Sequence, residues 1–309
     1  MNTVWVTGAQ GFIGRHLAKH LSDSGSKVYG IGHGVWSEYE YRAWGLDGWL
    51  KGEIDTANLE NLASISGLPM QIFHIAGGSS VGPSIATPLE DFNRTVASCI
   101  KLLDWVRTTS SGTCIVAASS AAVYGSGHDM AISETASIHP FSPYGHHKFM
   151  MEQLCRSYAE TYGLRCVIVR LFSVYGPLLR KQLLWDLCSR LASGEKELCL
   201  GGTGQELRDW VEVRDVARLL KVAAMIDDNG VSIINGGSGI GTSVSDIAEM
   251  IVRAWGANCN VGFNGHGRPG DPFSLVADTS QLAKIGYQCK VPVEEGIRTY
   301  VEWFKESML

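Results

Sequence analysis

Thr3-Val4-Trp5-Val6-Thr7-Gly8-Ala9-Gln10-Gly11-Phe12-Ile13-Gly14 is the stretch whose reading decides the fold. Thr3–Thr7 is an apolar run that reads as a buried strand, and Phe12 opens a helical pattern reaching about Ser24. A glycine triplet lies between them. Gly8 allows a tight turn, Gly11 lets the backbone approach a pyrophosphate, and Gly14 lets helix and strand pack closely. The helix start offers free N–H groups and the positive end of its dipole to phosphate oxygens. With 36 glycines in 309 residues, such a spacing can arise by chance. Its position between the first strand and the first helix is what makes it a dinucleotide-binding signal.

Working outward, Lys27–Gly32, Gln71–Ala76, Thr113–Ser119 and Cys166–Leu171 read as further strands, and helical patterns cover Pro88–Thr108 and Tyr144–Tyr162. Strands alternating with helices predict an α/β fold, a Rossmann-type doubly wound parallel sheet with helices on both faces. After Pro177 the connections lengthen and gain glycine, as in Gly201-Gly202-Thr203-Gly204 and Gly236-Gly237-Ser238-Gly239. The expectation is a dinucleotide-binding domain over 1–175, with 211–236 returning to it. A smaller C-terminal substrate-binding lobe is expected over 176–210 and 237–309, covering the cleft at the carboxyl ends of the strands.

Composition narrows the function. A chain with 45% hydrophobic and 18% charged residues is ordinary globular material. The net charge of -5 argues against nucleic acid or an acidic membrane as partner, so an anionic substrate needs a local basic cluster. No apolar run reaches the ~18 residues that span a bilayer. The N-terminus lacks the basic and long apolar regions of a signal peptide. The eight cysteines form no CxxC pair and read as reduced thiols of a cytoplasmic protein.

The chemistry sits in the middle of the chain. Ser119-Ser120 ends a strand, and Tyr144-Gly145-His146-His147-Lys148 opens a helix. Tyr144 and Lys148 are four residues apart and share a helix face. A free phenol, with a pKa near ~10, is a poor acid or base at neutral pH. A nearby ammonium lowers that value, and a serine hydroxyl can orient the reacting oxygen. At the end of the second strand, Val28-Tyr29-Gly30-Ile31-Gly32-His33-Gly34 offers no acid for the adenosine ribose. His33 and nearby Arg42 tolerate a 2′-phosphate instead, which tilts the cofactor to NADP over NAD.

Together these motifs resemble the extended short-chain dehydrogenase/reductase family, in its nucleotide-sugar epimerase, dehydratase and ketoreductase branch. The resemblance spans essentially the whole chain. It rests on Thr7–Gly14, His74-Ile75-Ala76-Gly77, Ser119-Ser120-Ala121-Ala122-Val123-Tyr124-Gly125 and Ser142-Pro143-Tyr144 with Lys148. Further on it rests on Arg170-Leu171-Phe172-Ser173-Val174-Tyr175-Gly176-Pro177, Arg208-Asp209-Trp210-Val211 and Arg268-Pro269-Gly270-Asp271.

The resemblance implies that Tyr144 is the general acid/base, Lys148 contacts the nicotinamide ribose, and Ser120 binds the reacting oxygen. It places Phe12 and Ile13 beside the pyrophosphate, Glu53 and Ile54 at the adenine, and Ala76 and Gly77 along the cofactor. Arg208 and Arg268 stand where the substrate diphosphate binds, and Gln182-Leu183 lies in the nucleotide-binding loop. Ser173 occupies the position of a substrate-contacting Asn. Thr95 replaces a frequent cofactor-contacting Asn, and Gly32 replaces the ribose acid. A homodimer through Pro88–Thr108 and Tyr144–Tyr162 is also implied.

Dehydration needs an acid/base pair just after the catalytic serine. Ala121 and Ala122 stand there and cannot transfer protons. The reading left is oxidoreduction at C4 of a nucleotide sugar, as a 4-epimerase or a 4-keto reductase. A non-catalytic NAD(P)-sensing regulator is disfavoured because both Tyr144 and Lys148 are retained. His16 and His20 read as a surface face, His146 and His147 as helix-face residues, and His74 as structural. Trp36, Trp44 and Trp49 fall in a stretch for which the sequence supplies no account.

Overall fold

The apolar runs become the central strands of one parallel sheet. The computed structural model describes residues 2–226, 230–267 and 272–308. In chain order the first part comprises β1 (Thr3–Thr7), α1 (Phe12–Asp23), β2 (Lys27–Gly32), α2 (Glu38–Ala43), β3 (Gly48–Lys51), α3 (Thr56–Ser66) and β4 (Gln71–His74). There follow α4 (Val81–Ala86), α5 (Pro88–Phe92), a π-helical turn (Asn93–Ala97), α6 (Ser98–Thr109), β5 (Cys114–Ser120), a 3₁₀ turn (Ala121–Val123), α7 (Pro143–Tyr162) and β6 (Arg165–Leu171). The last part comprises β7 (Ser173–Tyr175), α8 (Gln182–Ala192), β8 (Glu197–Leu200), β9 (Leu207–Glu212), α9 (Val213–Ala223) and β10 (Val231–Gly236). It ends with β11 (Gly241–Ser243), α10 (Val244–Trp255), β12 (Asn260–Phe263), β13 (Ser274–Leu275), α11 (Ser280–Lys284) and α12 (Val293–Ser307).

The main sheet has the order β10-β6-β5-β4-β1-β2-β3, and its strand pairs are parallel. The chain runs outward from β1 through β2 and β3, then returns to the other side of β1 with β4. That reversal opens a crevice at the carboxyl ends of β1 and β4, the place where ligands bind in such sheets. Both faces are covered. Along β5, Val116 and Ala118 face a core shared with α1 and α9, while Ile115 and Ala117 face a core shared with α3, α6 and α7. This two-sided burial explains why the strands read as unbroken apolar runs.

The smaller lobe has its own core, in which Leu184 and Leu187 of α8, Ile247 and Ile251 of α10, and Tyr300 and Phe304 of α12 meet Leu198 of β8. A further four-stranded sheet comprises β7, β9, β11 and β13, with β9 pairing each of the other three.

The helix expected over Pro88–Thr108 runs on from Pro88 to Thr109 as α5 and α6, with the π-helical turn Asn93–Ala97 inside it. β4 ends at His74, short of Ala76. β3 carries only four residues, Gly48-Trp49-Leu50-Lys51, too short for an alternation pattern to reveal it.

Candidate active site at the carboxyl ends of β1, β4 and β5

The glycine turn is built by backbone contacts. Gly8 N donates to the Ile31 oxygen at 2.8 Å, and Gly11 N donates to the Gly8 oxygen at 2.9 Å. A Cβ on Gly14 would stand 2.2 Å from the Gly8 oxygen, so helix and turn approach only because that side chain is missing. Gly11 is the N-cap of α1, which has no side-chain cap and no acid in its first turn. Its leading N–H groups are therefore aimed at the crevice, and the cradle fits the pyrophosphate of a dinucleotide. Phe12 and Ile13 line it, as do Ala76 and Gly77 after β4.

At the β2 exit His33 Nδ1 and Glu53 Oε1 are 3.0 Å apart, both largely exposed. Ile54 beside them is buried. Arg42 points elsewhere, to Glu38 at 2.7 Å.

The residues expected to transfer the proton come from β5 and α7. Ser142 caps α7 by accepting from Gly145 N, and Pro143 takes the first turn, where its missing N–H is harmless. Tyr144 N donates to Ser84 Oγ at 3.0 Å, which ties α7 to α4. Lys148 is buried, and its Nζ donates to the Ala118 oxygen at 2.8 Å and stands 5.9 Å from the Tyr144 ring centroid. Ser120 Oγ accepts from Ala122 N at 3.2 Å, which leaves its proton free to be donated. It also hydrogen-bonds the Tyr144 side chain.

Burial lowers the Lys148 pKa to about 8, opposed chiefly by Asp91. Burial raises the Tyr144 pKa, and the Ser120 hydrogen bond pulls the other way. The sequence argument expected the ammonium to lower the phenol. In this structure the influence that lowers the phenol is the Ser120 hydroxyl, and burial, with the Asp91 charge adding to it, outweighs that.

Ser120, Tyr144 and Lys148 open into a cavity of about 2230 Å³ that also includes the glycine turn. Ser173, Gln182, Leu183 and Arg208 line its other wall. Gln182 and Leu178 have φ angles of 66° and 77°, the non-glycine positive values among the described residues. They bracket the loop that closes this wall. Arg208 donates to the Leu207 oxygen at 2.8 Å on β9. Arg268 lies outside the described residues. Among the described residues, no helix is long and apolar enough to cross a membrane.

Several residues have roles that the sequence did not signal. Lys181 Nζ crosses the cleft to the Ser79 oxygen at 3.1 Å, a contact between segments 102 residues apart. His16 is not a surface residue. Its Nε2 lies 3.0 Å from the Pro177 oxygen, and its ring meets Phe12 and Trp44 edge-on. His147 does not simply face solvent but pairs with Asp91. The tryptophan stretch gains an account as well: the Arg15 guanidinium on α1 lies over the rings of Trp36 and Trp44, and Trp49 donates to the Gly34 oxygen. His74 is buried, with Nδ1 2.9 Å from Thr7 Oγ1, joining β4 to β1.

Residues 4–237 match the NAD dependent epimerase/dehydratase family. A UDP-glucose 4-epimerase of Azospirillum brasilense is 29% identical over 97% of this chain and 91% of its own. The solved structure of MoeE5 in complex with UDP-glucuronic acid and NAD superposes with a TM-score of 0.87 at 29% identity, covering 99% of each chain. TunA, described as an NAD dependent NDP-hexosamine 5,6-dehydratase involved in tunicamycin biosynthesis, superposes at 0.84 with 27% identity over 99% of this chain and 98% of its own. With the glycine cradle, the serine–tyrosine–lysine cluster and these likenesses together, the chain belongs to the NAD dependent epimerase/dehydratase family, enzymes of the extended short-chain dehydrogenase/reductase type.

Proposed function

We propose that the protein is a nucleotide-sugar 4-epimerase that works with tightly held NAD. The observation that carries this reading is the joint opening of Ser120, Tyr144 and Lys148 into one cavity with the glycine turn. When bound, NAD supplies the acceptor and donor of the hydride. The chain supplies the proton chemistry. Ser120 Oγ, already accepting from Ala122 N, donates to the C4 oxygen of the sugar. Tyr144 removes and returns the proton of that oxygen. Lys148, anchored on Ala118, holds the cofactor ribose and the field around the phenol.

Ala121 and Ala122 follow Ser120 in the 3₁₀ turn, and neither carries a proton. That supports C4 oxidoreduction over elimination of water across C5. NAD is favoured over NADP because the basic side chain at the β2 exit, His33, is matched by the Glu53 carboxylate. A carboxylate there repels a 2′-phosphate. Arg208, with Gln182 and Leu183, faces the diphosphate and base of the substrate, and Ser173 faces the sugar. Relatives named as epimerases of UDP-glucose and of UDP-glucuronate support a UDP-sugar, and a 4-keto reductase is the less supported alternative.

The test begins with denaturation of the purified protein and identification of the released cofactor. Stoichiometric NAD is expected, as is interconversion of UDP-glucose with UDP-galactose or of the corresponding uronates. Tyr144→Phe should lower that rate ~10²-fold or more, as loss of a general acid/base does. An undiminished rate would remove Tyr144 from the mechanism, and consumption of NADPH by a cofactor-free protein would favour the reductase.

A further inference from the structure

Asp91 and His147 lie outside the serine–tyrosine–lysine cluster yet border it on two sides. Asp91 Oδ2 and His147 Nδ1 are 2.6 Å apart, and the two side chains are 6% and 12% exposed. His147 stands one residue before Lys148 on α7, and Phe92 meets its ring edge-on at 5.5 Å. The other carboxylate oxygen is aimed at the loop after β4. A Cβ on Gly78 would fall 1.8 Å from Asp91 Oδ1. On the opposite side of the same loop, a Cβ on Gly77 would fall 3.1 Å from Lys148 Nζ. Gly77-Gly78 is thus a thin spacer between a carboxylate and an ammonium. Thr95 Oγ1 pins the spacer by accepting Gly78 N at 2.7 Å. Thr95 sits in the π-helical turn that follows α5, and such turns recur at functional sites.

The other groups facing Lys148 are neutral or already engaged. β4 contributes His74, whose pKa burial lowers to about 3. α6 contributes Cys99, a thiol held well above its ordinary value by the Cys155 contact and by burial. α7 contributes the Tyr144 phenol and also Glu152, which is bound to Ser119 and Arg170. β5 contributes the Ala118 carbonyl. Asp91 on α5 is the acid left to balance the ammonium across the spacer.

We propose that Asp91, oriented by His147, is a positioning residue that keeps Lys148 charged and in place through the Gly77-Gly78 spacer. This rests on the reading of Lys148 as the partner of the cofactor ribose and of Tyr144. Without the carboxylate, burial of the ammonium is opposed only by the lesser influences of Cys99 and Glu152, and the group moves towards the neutral amine. The amine holds the ribose hydroxyls less well and no longer stabilises a phenolate.

The test uses the whole protein and two readouts. Acetylation of Lys148 by acetic anhydride, followed by mass spectrometry across pH, reports its protonation without reference to activity. The pH profile of kcat with UDP-glucose or UDP-glucuronic acid reports the consequence. Asp91→Asn is expected to move the labelling midpoint of Lys148 down by about one unit, as loss of an opposite charge does. The alkaline limb of the kcat profile should move with it. Asp91→Glu should restore part of both shifts, and His147→Gln should move both in the same direction by less. An unmoved midpoint in folded Asp91→Asn overturns the proposal even if activity falls, because a structural role alone lowers the rate alike at every pH. If Asp91→Asn does not fold, the midpoint in His147→Gln decides in its place. A wild-type protein inactive on both sugars would overturn the epimerase reading and leave the labelling readout to judge Asp91.

Discussion

Two buried cations, Lys148 on α7 and Arg170 on β6, meet α7 one turn apart, and they are treated in opposite ways. Arg170 on β6 reaches Glu152 on α7 through two hydrogen bonds, Nε to Oε1 at 3.0 Å and Nη2 to Oε2 at 2.7 Å. Its Nη1 donates to Tyr124 Oη and to the Glu134 oxygen. Burial pulls the guanidinium pKa down, yet Glu152 and Tyr124 outweigh it and hold the group above its ordinary value. One turn before Glu152, Lys148 has a carbonyl as its direct partner, and burial takes it down to about 8. A guanidinium with a planar fork of partners is fixed for good. An ammonium short of partners keeps donors for a ligand. The first cation braces β6 against α7, and the second lines the cavity with donors to spare.

The largest effect that would test this contrast comes from breaking the fully paired side. Arg170→Met leaves Glu152 buried without its partner and should destabilise the protein by ~3–5 kcal/mol in denaturant titrations. Arg170→Met combined with Glu152→Leu should recover most of that loss, since two apolar groups need no partner. If the double variant is no better than the single one, the Ser119 and Tyr124 contacts carry the stability and the pair does not.

Lys148→Met should behave the other way round. Epimerisation should fall by about two orders of magnitude or more, as for other residues that act with a general acid/base. Stability near neutral pH should rise by roughly 1 kcal/mol, because the desolvation of a charged group is removed while the Ala118 carbonyl loses its donor. The sign follows from the lowered pKa. The folded wild type resists the proton that the unfolded chain holds up to about pH 10.4. Its handicap is therefore full below pH 8 and fades as pH rises through the interval above it. Thermal melts of the two proteins should converge in that interval. A variant less stable than wild type at pH 7 would mean that Lys148 is as well compensated as Arg170.

The sequence made the two sides of this contrast unequally legible. β1, β2, β5 and β6 could be read because both faces of a parallel strand are buried, and α7 because Ser142, Pro143 and a long periodic run mark its start. Ser120, Tyr144 and Lys148 could be read because one strand end and one helix turn hold them. The π-helical turn within Pro88–Thr108 had no local mark, since Asn93-Arg94-Thr95-Val96-Ala97 contains neither glycine nor proline. Asp91 and His147 are 56 residues apart, and Lys181 and Ser79 are 102 apart. Their pairing is a product of the tertiary fold, and no spacing within either segment records it. β8, β12 and β13 are short strands paired across long connections, and the same reason hid them.

His16 supplies the smallest effect and extends the contrast to a group that loses its charge altogether. The Pro177 oxygen can only accept, so Nε2 of the neutral ring carries the proton in their 3.0 Å contact. Burial lowers the His16 pKa, with Arg15 and Arg214 adding to the effect against the Pro177 hydrogen bond. Like Lys148, it is a base on a single carbonyl, though only half-buried, and its contact joins α1 to the loop after β7. His16→Ala should cost about 0.5–1.5 kcal/mol near neutral pH, the usual value of one such hydrogen bond. The folded wild type resists charging this ring, so its stability should decline as pH falls below the ordinary histidine value of about 6.5. The variant should lack that part of the decline, and the two melting curves should draw together in acid. Release of bound NAD should quicken in the variant if the contact holds the loop over the glycine turn. Unchanged release with the expected loss of stability would confine His16 to packing and leave the closure of the cavity wall to Lys181.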